Sequence, residues 1–338
     1  MDLDYVKLGD GRLVAFRELG CPREAALRSL LVLHGLGSSR IAAIPGVRQE
    51  LLEEFGVRLV VIDRAGYGKS DPDPNQTLRS SAVDLEAIID KLELGRRVWL
   101  LGYSGGAGYC WAAARYIPHR IHGIALWAPV GNYWWKGISD AQRKSMISTL
   151  TPNTKLLFSY MKYVPPSILR LYARFVLARR AGQRWVDHCK ATLSPPDQKH
   201  LAQHEFAGLL LKDNLESITF NQGAGLAKDL ELLCSCDWGF ELDEVGRCFA
   251  GPIHIWQGSD DRLVSLELQR WIKSTLPQTV ELHELDGEGH LSWFCFNDDS
   301  HRRVFETLFA QSPASEMSYR SSDRSYSTRR KLENANLV

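Results

Sequence analysis

No apolar run in this chain approaches the roughly 18 residues needed to span a bilayer. No transmembrane segment is therefore expected. The stretch Met1 to Asp10 carries Asp2, Asp4, Lys7 and Asp10. It lacks a basic stretch followed by an apolar one, so no secretory leader is read there and a cytoplasmic location is the expectation. Charge imbalance is missing too. Lys and Arg number 41 against 40 Asp and Glu, a formal net charge of +1. That gives no global argument for a nucleic-acid or membrane partner. A disulfide framework is also absent: seven cysteines are an odd count without regular spacing, which suits a reducing compartment. Cys234-x-Cys236, with Cys248 and His254 further on, matches neither standard zinc spacing, so no metal site is expected. No internal repeat is visible.

What is present is a chain of 338 residues, 44% apolar and 24% charged, enough for a large soluble core. Tyr5 to Glu18 reads as a hairpin turning at Gly9-Asp10-Gly11. Strands are expected over 29–33, 57–62, 97–102, 121–128, 252–256 and 279–285. Helices are expected over 47–55, 77–94, 106–116, 266–276 and 302–309. Strands alternating with helices argue for an α/β fold with a mostly parallel, doubly wound sheet covered on both faces. Between Tyr133 and the strand at Pro252 the alternation stops. Helical patterns there cover 142–150, 167–181, 196–211 and 213–229. The expected organisation is a core of 1–132 and 250–311, a helical cap insertion at 133–249, and a Ser/Arg-rich disordered tail at 312–338.

The chemistry centres on Gly102-Tyr103-Ser104-Gly105-Gly106, a G-x-S-x-G pattern between an apolar strand and a small-residue helix. Such a turn exposes the serine hydroxyl, and the helix behind it offers free N–H groups to an oxyanion. A serine needs a base, and the base an orienting carboxylate. His290 follows a predicted strand within Gly287-Glu288-Gly289-His290, where glycines let an imidazole reach over the sheet edge. Asp260 and Asp261 both lie in the loop that ends the strand Ile253–Trp256; Asp261 fits G-x-x-D-x-x-V. The order Ser104, Asp261, His290 matches one triad class. The second oxyanion donor beside the Gly105 N–H is expected at Leu36, after the first core strand. His34 reads chiefly as a loop histidine bonded to backbone. His34, Tyr103, Trp134 and Trp135 are the candidate pocket residues.

These segments, with Asp63-Arg64-Ala65-Gly66-Tyr67-Gly68-Lys69-Ser70 and Gly258-Ser259-Asp260-Asp261-Arg262-Leu263-Val264, resemble the α/β-hydrolase superfamily over about 30–310. More narrowly, Tyr116-Ile117-Pro118-His119-Arg120, Asn132-Tyr133-Trp134-Trp135 and Trp256-Gln257-Gly258 resemble a plant group of α/β-hydrolase-fold proteins. Many of that group carry Met where Gly105 stands and Pro where Ser265 stands. The resemblance implies an α/β-hydrolase fold and a serine hydrolase with no cofactor. Ser104 at the elbow excludes the superfamily branches that use a carboxylate nucleophile. Aromatics in the insertion point to a small apolar acyl or aromatic ester as substrate. Hydrolase-fold hormone receptors imply an alternative, a small-molecule receptor with slow or no turnover.

Overall fold

The computed structural model describes residues 4–42 and 44–309. The segment 312–338 lies outside the described residues. Runs rich in Val, Leu and Ile form an eight-stranded sheet. In chain order these are β1 (Asp4–Lys7), β2 (Leu13–Gly20), β3 (Arg28–Leu33), β4 (Val57–Ile62), β5 (Val98–Tyr103), β6 (Ile121–Trp127), β7 (Ile253–Gly258) and β8 (Val280–Leu285). Their spatial order is β1-β2-β4-β3-β5-β6-β7-β8. β2 pairs antiparallel with β1 and β4, and every other pairing is parallel. β4, β5 and β7 are buried throughout, as strands covered on both faces must be. β8, at the edge, is buried only at Val280.

Helices fill the connections. The first three are α1 (Gln49–Glu54), α2 (Leu78–Lys91) and α3 (Gly106–Tyr116). Thr77 caps α2: its side chain accepts from the Ser80 N–H, and the Ser80 side chain accepts from the Thr77 N–H, both at 2.9 Å. Every residue of α3 from Gly106 to Ala114 is buried. Its small side chains let it approach the sheet: a Cβ on Gly106 would stand 2.1 Å from the Leu33 carbonyl oxygen. Successive strand residues face opposite layers. Leu31, Leu33 and Leu100 join one apolar cluster, while Leu30, Val32 and Leu101 join the other. Each such side chain contributes roughly 1.5–3 kcal/mol on burial.

Between β6 and β7 lie α4 (Asp140–Ser148), α5 (Pro152–Tyr160), α6 (Pro166–Tyr172), α7 (Gln183–Thr192), α8 (Pro195–Leu201), α9 (His204–Thr219), α10 (Ala224–Leu233) and α11 (Leu242–Cys248). α12 (Leu266–Thr275) and α13 (Asp298–Phe309) complete the core. Two helices expected in the insertion are broken. The pattern over 196–211 splits between Leu201 and His204, and that over 213–229 breaks where Gln222 (φ +52°) and Gly223 (φ +77°) turn left-handed. The helix expected over 167–181 leaves α geometry after Tyr172 and ends in wider and tighter turns. α5, α7 and α11 were not foreseen; Thr151-Pro152 caps the first, and Gly182 (φ +77°) precedes the second. α11 packs on α3 and α12, within the layer that covers the sheet.

Register sets the site. Leu33 pairs with Ile62 of β4 and with Gly102 of β5. The residues that follow, His34, Asp63 and Tyr103-Ser104, therefore leave the sheet along one edge. β7 and β8 pair through Gly258 and Leu285, which places their outgoing loops side by side.

Candidate active site

Ser104 follows β5 with φ +49°, in the left-handed region that costs a non-glycine residue about 1–2 kcal/mol. Hydrogen bonds hold it there. Its N–H donates to the Trp127 carbonyl at 2.8 Å, and its carbonyl accepts from Val130 at 3.0 Å and Ala107 at 3.1 Å. α3 begins two residues later, so its N-terminus lies directly behind the serine.

The structure brings His290 to Asp261, not to Asp260. Nδ1–H of His290 donates to Asp261 Oδ2 at 2.7 Å, which leaves Nε2 free to act as a base. Asp261 also accepts from Gln257 Nε2 at 2.8 Å and from the Leu263 and Val264 N–H groups at 2.8 and 3.0 Å. Asp260 is exposed. Burial pulls the His290 pKa down. The Asp261 carboxylate, its hydrogen bond and the charge of Asp197 outweigh that, and the net direction is upward. Ser104 and His290 are both buried and are not hydrogen-bonded to each other. Tyr103 links them: its ring lies 5.3 Å from the His290 ring, and it follows Gly102 into the same turn.

The Leu36 loop lies against the elbow. A Cβ on Gly35 would be 3.2 Å from the Ser104 Cβ, and one on Gly105 would be 2.3 Å from Leu36 Cδ1. Among the described residues, neither the Leu36 N–H nor the Gly105 N–H has a protein acceptor.

Two of the candidate pocket residues have other partners. His34 uses both ring nitrogens on backbone: Nδ1–H donates to the Gly35 carbonyl at 2.9 Å, and Nε2 accepts from the Arg64 N–H at 3.0 Å. Burial, then the Arg64 charge, holds its pKa well below the usual value. Trp135 is buried among Trp111, Trp238 and Trp271, where apolar packing claims it. Trp134 is half-buried between two cations, with Arg143 4.2 Å and Lys162 3.0 Å from its ring centroid.

Three buried carboxylates of the insertion were missed in the sequence. Asp197 on α8 accepts from the backbone N–H groups of His290, Leu291 and Ser292 at 2.9, 2.7 and 3.1 Å, and from Ser194 Oγ. A Cβ on Gly289 would sit 2.4 Å from that carboxylate, so the loop requires glycine there. Asp213 on α9 accepts from the N–H and hydroxyl of Ser39, in the loop that contains Leu36. Burial pushes its pKa up to about 7, against the pull of the Ser39 and Ser38 hydroxyls. Asp229 on α10 takes both Arg64 terminal nitrogens at 2.6 and 2.7 Å, and the hydroxyls of Tyr67 and Tyr109. In sequence, Ser194-Pro195-Pro196-Asp197 reads as an ordinary helix start, and Asp213 and Asp229 as polar helix positions. Only their apolar neighbours hinted at burial.

One described group carries metal-ligand chemistry: His254, Glu281 and His283, within 4.8 Å of one another on β7 and β8. The His254–His283 contact is 3.2 Å, and Trp256 stacks on His283. It includes no residue of the Ser104 site.

A profile described as the alpha/beta hydrolase family matches residues 30–307. A 2-hydroxy-6-oxononadienedioate/2-hydroxy-6-oxononatrienedioate hydrolase of Cupriavidus pinatubonensis is 23% identical over 279 residues, covering 79% of this chain and 81% of that protein. Among solved structures, a thermophilic esterase from Thermogutta terrifontis matches with TM-score 0.63 and 18% identity, over 91% of this chain and 97% of that one. An esterase from Exiguobacterium antarcticum matches with TM-score 0.57 and 18% identity, over 90% and 97%.

Proposed function

The chain belongs to the alpha/beta hydrolase family, and from that premise we propose that it is a serine hydrolase cleaving a carboxylic ester through an acyl-enzyme on Ser104. The observation that carries this reading is the buried His290–Asp261 pair at 2.7 Å, set beside a serine held at φ +49°. Ser104 Oγ attacks the ester carbonyl while His290 Nε2 takes its proton. The Leu36 and Gly105 N–H groups receive the oxyanion. His290 returns the proton to the departing alcohol. It then takes one from water, which attacks the acyl-enzyme, and passes it to Ser104 Oγ as the ester bond to the serine breaks and the acid leaves. Asp261 accepts from Nδ1–H and fixes the imidazole tautomer.

The insertion, α4 to α10, acts as the cap over this site. Tyr103, whose ring packs against those of His290 and Phe294, is assigned to the substrate side of the site, and a small acyl or aromatic ester suits it. A fluorophosphonate probe should label the protein at Ser104. Purified chain should hydrolyse a short p-nitrophenyl ester, and Ser104→Ala should lower that rate by about 10⁴-fold or more. Equal rates in both proteins would end the esterase reading. Ligand-induced thermal stabilisation with no product would favour a receptor instead.

A further inference from the structure

The formal charge of +1 conceals a strong local asymmetry. Residues 141–186 contain nine Lys and Arg and no Asp or Glu, which leaves −8 on the rest of the chain. The same stretch is where apolar side chains reach the surface. Among the described residues, seven of the thirteen exposed large apolar side chains fall within positions 156–175. Leu156, Tyr160 and Tyr163 lie on α5 and the turn after it. Ile168, Leu171, Tyr172 and Phe175 recur at i, i+3, i+4 and i+7 along α6 and its continuation. That spacing makes one helical stripe. All seven are between 41 and 72% exposed, while Leu169 and Ala173, on the opposite side of α6, are buried. The stripe therefore faces outward by construction, with its helix seated on α10 through the other face. Cations border it. Arg170, Arg174, Arg179 and Arg180 are exposed, and among the described residues none has a carboxylate partner. Arg174 and Arg179 lie over the Phe175 ring.

We propose that this face of the insertion docks on an anionic lipid surface. A helix with an outward apolar stripe flanked by Lys and Arg lies in the headgroup boundary, its aromatics at the interface and its cations toward lipid charge. The absence of carboxylates over 46 residues removes the repulsion that an ordinary mixed surface would meet. Nucleic acid would use the cations and stack on the aromatics, but it has no use for the exposed aliphatics Leu156, Ile168 and Leu171. A second copy of the chain would have to press Arg170, Arg174, Arg179 and Arg180 against the same four of its partner. The docking is independent of the chemistry proposed at Ser104.

The test is co-sedimentation of the full chain with phosphatidylcholine vesicles, with and without phosphatidylserine. Binding is expected only with phosphatidylserine and is weakened by salt. Two surface variants separate the contributions. One combines Ile168→Ser, Leu171→Ser and Phe175→Ser; the other combines Arg170→Gln, Arg174→Gln and Arg179→Gln. Each should keep the wild-type melting curve and lose about tenfold or more in partitioning. Four outcomes would overturn the proposal. They are no binding to anionic vesicles, undiminished binding by both variants, a dimer in light scattering that the apolar variant abolishes, and binding of single-stranded RNA in place of vesicles.

Discussion

His290 stands between two carboxylates, and only one of them touches its ring. Asp261 orients the imidazole, while Asp197 holds the backbone that carries it and adds a second negative charge. As the proposed base, His290 acts when neutral. Because its pKa is raised, ester hydrolysis should fall away as pH drops through a value above the ordinary 6.5 or so of a histidine. Asp197→Asn removes one of the charges that hold the pKa up, so the acidic limb of the kcat/KM profile should move to lower pH. The rate at the plateau should also drop about tenfold to a hundredfold, because the loop loses an acceptor and the imidazole shifts. A pH–rate profile of both proteins decides this, and an unmoved limb would refute the electrostatic role. Ser104, Asp261 and His290 were legible because each sits in a motif at a strand end. Asp197 was not, since nothing local marks a helix-start aspartate as the partner of a loop 93 residues away. Trp135 misled for the opposite reason: its place at the mouth of the insertion looked accessible, and its neighbours in space are three more tryptophans.

At the level of elements, α8, α9 and α10 each send one buried aspartate to one loop of the site. An aspartate at about 7 when folded and about 3.9 when unfolded binds more protons in the native state between those values. Stability from Asp213 is therefore complete below about pH 3.9 and lost as pH rises through about 7. Asp213→Asn keeps an acceptor for Ser39 without the charge. Its urea midpoint should vary less with pH over that range than the wild type's, and parallel curves would refute the assignment. Asp229→Ala leaves the buried Arg64 guanidinium without its carboxylate. It should lower stability by about 3–5 kcal/mol in urea unfolding. The core elements were readable because their periodicity ends at glycines and prolines. The insertion helices were less so, because the apolar pattern runs on through Ala202-Gln203 and past the Gln222-Gly223 turn, hiding both breaks.

For the whole molecule, alternation of strand and helix disclosed the parallel sheet but not its order. The placing of β3 between β4 and β5 depends on pairing across the chain, which periodicity does not carry. A chain ending at Phe309 should be labelled at Ser104 by a fluorophosphonate at the wild-type rate, since every group of the proposed site lies before that point. A loss of labelling would assign the segment beyond it to the site. The aspartates on α8, α9 and α10 also bear on how such a protein diversifies. The insertion is not a transplantable lid. A segment taken from a relative would meet Ser39, Arg64 and the Gly289 turn without the matching acids, and all three loops would be left unanchored at once. The stretch from α4 to α6 carries none of these three links. Inherited variation in substrate preference is free to accumulate there, while the half that grips the loops changes only together with the core.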